Sequence, residues 1–567
     1  MKFRSGRFSL NLREAQLFLL LAIIIGLISG LLVVCFQISI EWVRLWLLGT
    51  ALSPSPIRVI LMPTLGGLVV AFLVMKVFPR VRGSGVNQTK EAVYIYDGYI
   101  PFSTVVGKFF LCALAIGSGH SLGPEDPSLQ IGAGVASALG RRLRLSREKL
   151  RLLAPVGAAA GLAAAFNAPI SAVLFVIEEV IGRWSSGVLG AVVLSAISGV
   201  VVERGLMGSE PLFRIPVYRL GHPSELLAYA ALGIVGGLSA VVFVKLIAYF
   251  RPRLKALPRR SQYVQPAIAG LMIGVVGIWL PQVTGSGYHV IDQVISEQYA
   301  WRMLALLAVF KIVTTTLSFV SGTPGGMFAP TLFIGATIGG AVGAVERHFF
   351  PGLTGSIGSY ALVGMGTLFA GFLRAPMTSV FMVLEVSGDY SIIVPVMISN
   401  TIAYLISRHY LKTPIFDLLA REDGVDLPSM EEQREASTLR VEDAMQPVPK
   451  VILNAEDSVN TAVERIIGSS NDLFLVRYRT GSWTDVRAAT LRSMADDERG
   501  GSPLEEAYTH SRMPVVHPDE PLDIALRRMG DWPMLPVVSR ANFRQLEGVV
   551  SIQDVLAAYK KAPADHD

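Results

Sequence analysis

Residues 17–34 read LFLLLAIIIGLISGLLVV, 18 consecutive positions without a charge. A helix that crosses a bilayer needs about 20 predominantly apolar residues. Comparable runs recur near 57–75, 185–202, 224–244, 265–280, 303–321, 326–345 and 388–405. Hydrocarbon offers no partner for backbone N–H and C=O groups, so runs of this length specify helices. The chain therefore reads as an all-α polytopic membrane protein with a smaller tail. Only 17% of its residues are charged, against about 25% in soluble proteins. MKFRSGRFSLNLREA precedes the first run and has the basic character of a signal peptide. The apolar core is too long for one and no small-residue cleavage site follows, so it reads as a retained first span.

Cys35 and Cys112 lie in or beside apolar segments and suggest no disulfide framework. The net charge of +6 reads as loop bias, not as nucleic-acid binding. Its clusters, RRLRLSREKLR at 141–151 and RPRLKALPRR at 251–260, flank apolar runs. By the positive-inside rule these loops and the N-terminus face the cytoplasm, as in a multi-pass protein of a prokaryotic inner or plasma membrane.

An internal repeat narrows the architecture. FPRVRGSG at 78–85 matches LPQVTGSG at 280–287, an offset of 202. GPEDPSLQIG at 123–132 matches GMFAPTLFIG at 326–335, an offset of 203, and NAPISAVLFVIEE at 167–179 matches RAPMTSVFMVLEV at 374–386, an offset of 207. Three blocks in one order define a duplicated membrane domain over 1–420, with halves at about 17–220 and 221–420. Such halves are often inverted about an axis in the membrane plane, with the site near the midplane. Each block opens a short apolar segment with Gly or Pro, which points to broken helices lining a cavity.

A helix start presents about four unpaired N–H groups and roughly half a positive charge. Several meeting at mid-membrane hold an anion weakly, without a buried base. Ser84 adds a hydroxyl. Glu125 and Asp126 lie at one such start, and the repeat partner of Glu125 is Phe328. Glu125 is then either a gate that occupies the anion site and carries a proton, or a first-turn acid that merely favours the helix end.

These residues resemble the CLC family of chloride channels and proton-coupled chloride transporters, over about 40–420. The family's GSGIP is GSGVN at 83–87 here, which implies anion contacts from Ser84 and Gly85. Its G-(K/R)-E-G-P is GPEDP at 123–127 here, which implies Glu125 as external gate. Its GxFxP is GMFAP, which implies backbone N–H donors at Met327 and Phe328. A tyrosine that usually contacts the central anion is replaced by Phe416, in PIFDLLAR at 414–421. FVIEEV at 175–180 resembles the exchanger version and implies Glu179 as internal proton acceptor, with Glu178 and its partner Glu385 structural.

Pro124, Asp126 and Asn87 depart from the pattern, and a fixed charge on Asp126 opposes anion entry unless it is protonated, paired or turned away. The resemblance implies chloride and protons as substrates and a homodimer with one pore per subunit. A passive channel, voltage-gated or not, and a fluoride carrier are the alternatives on the same fold. No HExxH, spaced Asp pair or nucleophile elbow suggests an enzyme or a metal site.

After Arg421 the composition turns polar. Residues 421–440 read as a linker, and 441–567 as a cytoplasmic α/β unit. PKVILNAEDSVNTAVERI at 449–466 parallels MPVVHPDEPLDIALRRM at 513–529. The tail resembles a tandem CBS pair, which implies a candidate adenine-nucleotide site at Gly548, Ser551 and Asp554. Ser551 and Asp554 read equally well as the N-cap of the last helix.

Overall fold

A computed structural model describes residues 14–561, except 50–54, 183–185, 211, 214–221, 351–354, 426, 428–438, 470, 497–498, 509–511, 531 and 543. Most of the expected linker, and the basic N-terminal stretch up to residue 13, therefore lie outside the described residues. The chain divides into two compact units, Met1–Leu427 and Pro428–Asp567.

The first unit is helical. Its first half comprises α1 (Glu14–Leu48), α2 (Pro56–Lys76), α3 (Val86–Tyr94), α4 (Phe102–Ser118), α5 (Glu125–Arg142), α6 (Arg147–Phe166), α7 (Pro169–Phe175) and α8 (Ser186–Met207). The second half repeats the series as α9 (Glu225–Ala256), α10 (Gln265–Trp279), α11 (Tyr288–Ile295), α12 (Trp301–Val320), α13 (Phe328–Phe349), α14 (Ile357–Leu373), α15 (Pro376–Ser387) and α16 (Ile393–Tyr410). A last short helix, α17 (Ile415–Glu422), follows. Among the described residues eight helices are long and apolar enough to cross a membrane, and four shorter apolar ones accompany them.

The same chemistry ends equivalent helices. α7 and α15 each start with a proline in the first turn, where the missing N–H would have no partner anyway. α6 and α14 each stop at a left-handed residue, Asn167 and Arg374. Neither helix stood out as an apolar run, because α6 opens on charged residues and α14 is only 17 residues long. They are interior helices: α6 is buried from Leu153 to Phe166 and α14 from Gly358 to Leu373. Their small residues let backbones touch. A Cβ on Gly157 of α6 would lie 2.1 Å from the Gly132 carbonyl oxygen of α5. In the second half a Cβ on Gly364 would lie 2.2 Å from that of Gly335. The outer faces expose Trp42, Phe72, Leu227 and Val309 among many large apolar side chains, as a lipid-facing surface should.

The halves meet at Gly123 and Gly326. Each donates its N–H to the other's carbonyl at 2.8 Å, in an antiparallel bridge. Reciprocal bonds between repeat-equivalent residues place a local two-fold axis between them.

The second unit holds two similar helix–strand–strand–helix modules. The first runs through Val459–Ile466, β2 (Leu473–Arg477), β3 (Trp483–Arg487) and Ala488–Asp496, with β1 (Ile452–Asn454) parallel to β2. The second runs through Leu522–Met529, β4 (Met534–Val538), β5 (Leu546–Ser551) and Ile552–Lys561. Both strand pairs are antiparallel. TDVRAATLRSMADD, which shows no counterpart of the last strand–helix ending in its letters, supplies β3 and the following helix.

Candidate anion-transport site

Three helix starts carry the sequence-expected residues. Gly83 and Gly85 sit at φ of 87° and 122°, a region that side chains rarely adopt, and this turn opens α3. Lys108 of α4, fully buried, donates to the carbonyls of Val81 at 3.0 Å and Gly83 at 2.7 Å. Lys311 of α12 does the same for Val283 and Gly285. The two GSG turns are thus braced by equivalent lysines. Ser84 is buried, and its hydroxyl accepts from Val86 N–H at 3.4 Å.

Glu125 and Asp126 are both fully buried at the start of α5. The Glu125 carboxylate accepts from Ala329 N–H at 3.2 Å and from the Tyr288 hydroxyl at the start of α11. Asp126 accepts the Met327 N–H at 3.0 Å. The opening pair of acids therefore spans the repeat interface onto the N-terminus of α13. The Met327 N–H expected to face an anion is bonded to a carboxylate in this structure.

The Phe328 side chain, buried, is the hub of an aromatic cluster. Its ring centroid lies 4.9 Å from Phe175, 5.2 Å from Phe369, 6.0 Å from Phe166 and 6.4 Å from Phe416. Phe416 thus fills an apolar position where a phenol would have supplied a donor. Its carbonyl accepts from Asn87 at 2.9 Å, which ties α17 to α3.

Glu178 and Glu179 lie on a π-helical turn, Val176–Ile181, that follows α7. Such turns often occur at functional sites. The two acids turn to different partners. Glu178 accepts from Thr378 N–H at 2.9 Å and its hydroxyl at 2.6 Å, at the start of α15. Glu385 accepts from Ser171 N–H at 2.7 Å and its hydroxyl at 2.5 Å, at the start of α7. Each half caps the other. Glu179 instead accepts from Lys90 at 2.7 Å, and Lys90 also donates to Asp417 at 2.9 Å.

Lys90, Asp417 and Tyr288 did not emerge from the motifs. An acid inside a membrane needs a partner, and a search for a lysine in the same half would have found Lys90 shortly after GSGV at 83–86. Asp417 follows Phe416, which the missing tyrosine had already singled out, and Tyr288 follows the second GSG of the repeat.

In the second unit Ser551 and Asp554 form a reciprocal cap. Ser551 N–H and hydroxyl donate to Asp554 Oδ2 at 2.9 and 2.5 Å, and Asp554 N–H returns to Ser551 Oγ at 3.3 Å. Gln446 donates to Asp554 Oδ1 at 2.8 Å. Partial burial raises the Asp554 carboxyl, but these bonds outweigh it and hold it below its usual value. Gly548 packs against the Gln446 carbonyl.

A duplicated helical membrane unit whose broken helix ends converge on buried carboxylates defines an anion-transporting membrane protein. Residues 66–408 match the family described as voltage gated chloride channel, and residues 505–561 match the CBS domain. The chain belongs to this family of chloride-transporting membrane proteins, which are transporters and channels and not enzymes. It is 34% identical over 414 residues to the H(+)/Cl(-) exchange transporter ClcA of Vibrio campbellii, covering 71% of this chain and 88% of that one. Its fold matches a slow cyanobacterial Cl-/H+ antiporter with TM-score 0.67 at 24% identity, over 73% of this chain and 99% of that one. It also matches a eukaryotic CLC transporter with TM-score 0.64 at 20% identity, over 96% of this chain and 99% of that one.

Proposed function

We propose that this protein exchanges chloride for protons. The observation that carries the reading is the Glu125 carboxylate on the Ala329 N–H, where a permeating anion would be received. Protonating that carboxyl removes its charge and frees the donor, so one group gates chloride and carries the proton. The second acid is Glu179. Its cluster sets one lysine against two carboxylates, so the three together carry a formal charge of about −1 and have capacity for a proton. Ser84, Gly85 and Phe328 line the anion route between them. The relative named as an H(+)/Cl(-) exchange transporter supports coupling.

The second reading is a passive channel. It is favoured by the apolar Phe416 and by the ion pair that engages Glu179. Reconstituted protein under an imposed chloride gradient separates the two. Exchange drives protons uphill and loses that movement in Glu179→Gln and Glu125→Gln, whereas a channel passes chloride with no proton movement.

The working unit is a homodimer with one pathway per subunit, with light scattering in detergent as its test. The C-terminal unit is a tandem CBS pair on the cytoplasmic side. Its adenine nucleotide, bound at Ser551 and Asp554, would displace Gln446 from the carboxylate. Calorimetry with ATP and with AMP tests it, and the absence of heat with both would remove it.

A further inference from the structure

The exchange reading uses Glu125 and leaves Asp126 unexplained. Asp126 has no surface exposure and lies one residue into α5. The Gly123–Gly326 bridge fixes the two segments side by side, and a Cβ on Gly326 would lie 3.0 Å from the Asp126 carboxyl carbon. The side chain is therefore held against the start of α13. One oxygen, Oδ2, takes the Met327 N–H. The other, Oδ1, is buried and without a hydrogen-bond partner among the described residues.

Two neighbouring N–H donors of one helix end, at Met327 and Ala329, thus go to two neighbouring carboxylates. A helix N-terminus offers only about half a positive charge, too little by itself to balance two acids and also hold an anion, and Lys108 already donates to the Val81 and Gly83 carbonyls. The half-satisfied Asp126 has a further cost, because a buried charged oxygen without a donor is unfavourable.

We infer that Asp126 is a second gate, a carboxylate that must give up the Met327 N–H before chloride can use this end of α13. Aspartate is one methylene shorter than glutamate and has less reach to swing clear. Neutralisation by a proton at Oδ1 is then the simplest release. The titratable groups that face it are Glu125 on α5, Lys108 and Cys112 on α4, and Tyr288 on α11. At the start of α13 it takes the N–H of the N-cap residue Met327. The inference rests on chloride transport and not on proton coupling, so a passive channel would show it as well.

The test is chloride efflux from liposomes holding the full-length protein, followed from neutral to acidic pH and scaled to folded protein by size exclusion. Asp126→Asn keeps the shape without the charge, and Asp126→Gly removes the side chain. At neutral pH each should speed efflux at least about tenfold, the scale of one charge-assisted hydrogen bond. In Glu125→Ala, efflux should still rise on acidification, and that rise should vanish when Asp126→Asn is added. Two results would overturn the inference: folded Asp126 variants no faster than the parent, or Glu125→Ala already independent of pH. The second needs no Asp126 variant, so it decides the matter even where those do not fold.

Discussion

The two halves of the membrane unit agree where turns are braced and helices capped, and differ in the buried acids Glu125, Asp126 and Glu179. Lys108 and Lys311 brace equivalent turns, Glu178 and Glu385 cap each other's halves, and Gly123 pairs with Gly326. By contrast Glu125 faces the position of Phe328, Asp126 that of Ala329, and Glu179 that of Val386. The duplicated residues hold the fold together, and the proposed exchange places its chemistry on acids present in one half only. An intramembrane acid costs enough that it is kept for one purpose or the other, and the repeat sorts the two.

The largest expected effect breaks the asymmetric half. Lys90→Met removes the cation between Glu179 and Asp417 and should cost about 3–5 kcal/mol, the usual penalty for taking one partner from a buried ion pair. Thermal unfolding in detergent measures it, and adding Asp417→Asn should recover part of the loss. Next come the paired caps. Glu178→Ala and Glu385→Ala should each lower stability by about 2–3 kcal/mol, since each removes bonds to a charged acceptor. The account requires similar losses from the two, and a large loss from one alone would undo the symmetry. Gly157→Ala and Gly364→Ala come third, at about 1–3 kcal/mol for overpacking. Each forces apart helices whose backbones touch, with equal consequence for either half.

The smallest effect is in the C-terminal unit. Asp554→Ala should cost about 1 kcal/mol, the typical worth of a cap. Its carboxyl is held below the ordinary value, so this contribution is present above the ordinary carboxylate range. It fades as pH falls through the lowered value. Melting curves of parent and variant should therefore converge in acid and separate near neutrality.

Much of this was legible in the sequence. The apolar runs fix the polytopic fold because hydrocarbon admits so few structures, and the repeated GSG, GPEDP and GMFAP blocks mark the helix starts before any coordinates. Two kinds of feature were hidden. α6 and α14 did not show as long uncharged runs because α6 opens on the charged Arg147–Arg151 stretch and α14 is only 17 residues long. The partners were hidden too: Lys90 lies 89 positions from Glu179, and Asp126 lies 201 from Met327. Contacts of that separation are created by the fold, and the sequence supplies candidates for them but not the pairing. The π-helical turn that carries Glu178 and Glu179 was hidden as well, since FVIEEV alone reads as ordinary helix.

The most direct test of the division between scaffold and transport pairs Glu125→Gln with Glu385→Gln, measuring thermal stability and chloride-driven proton movement on each. The account predicts that Glu125→Gln loses proton movement with its stability nearly intact, and that Glu385→Gln melts earlier yet still couples while folded. Coupling that survives in Glu125→Gln and disappears in folded Glu385→Gln would contradict it.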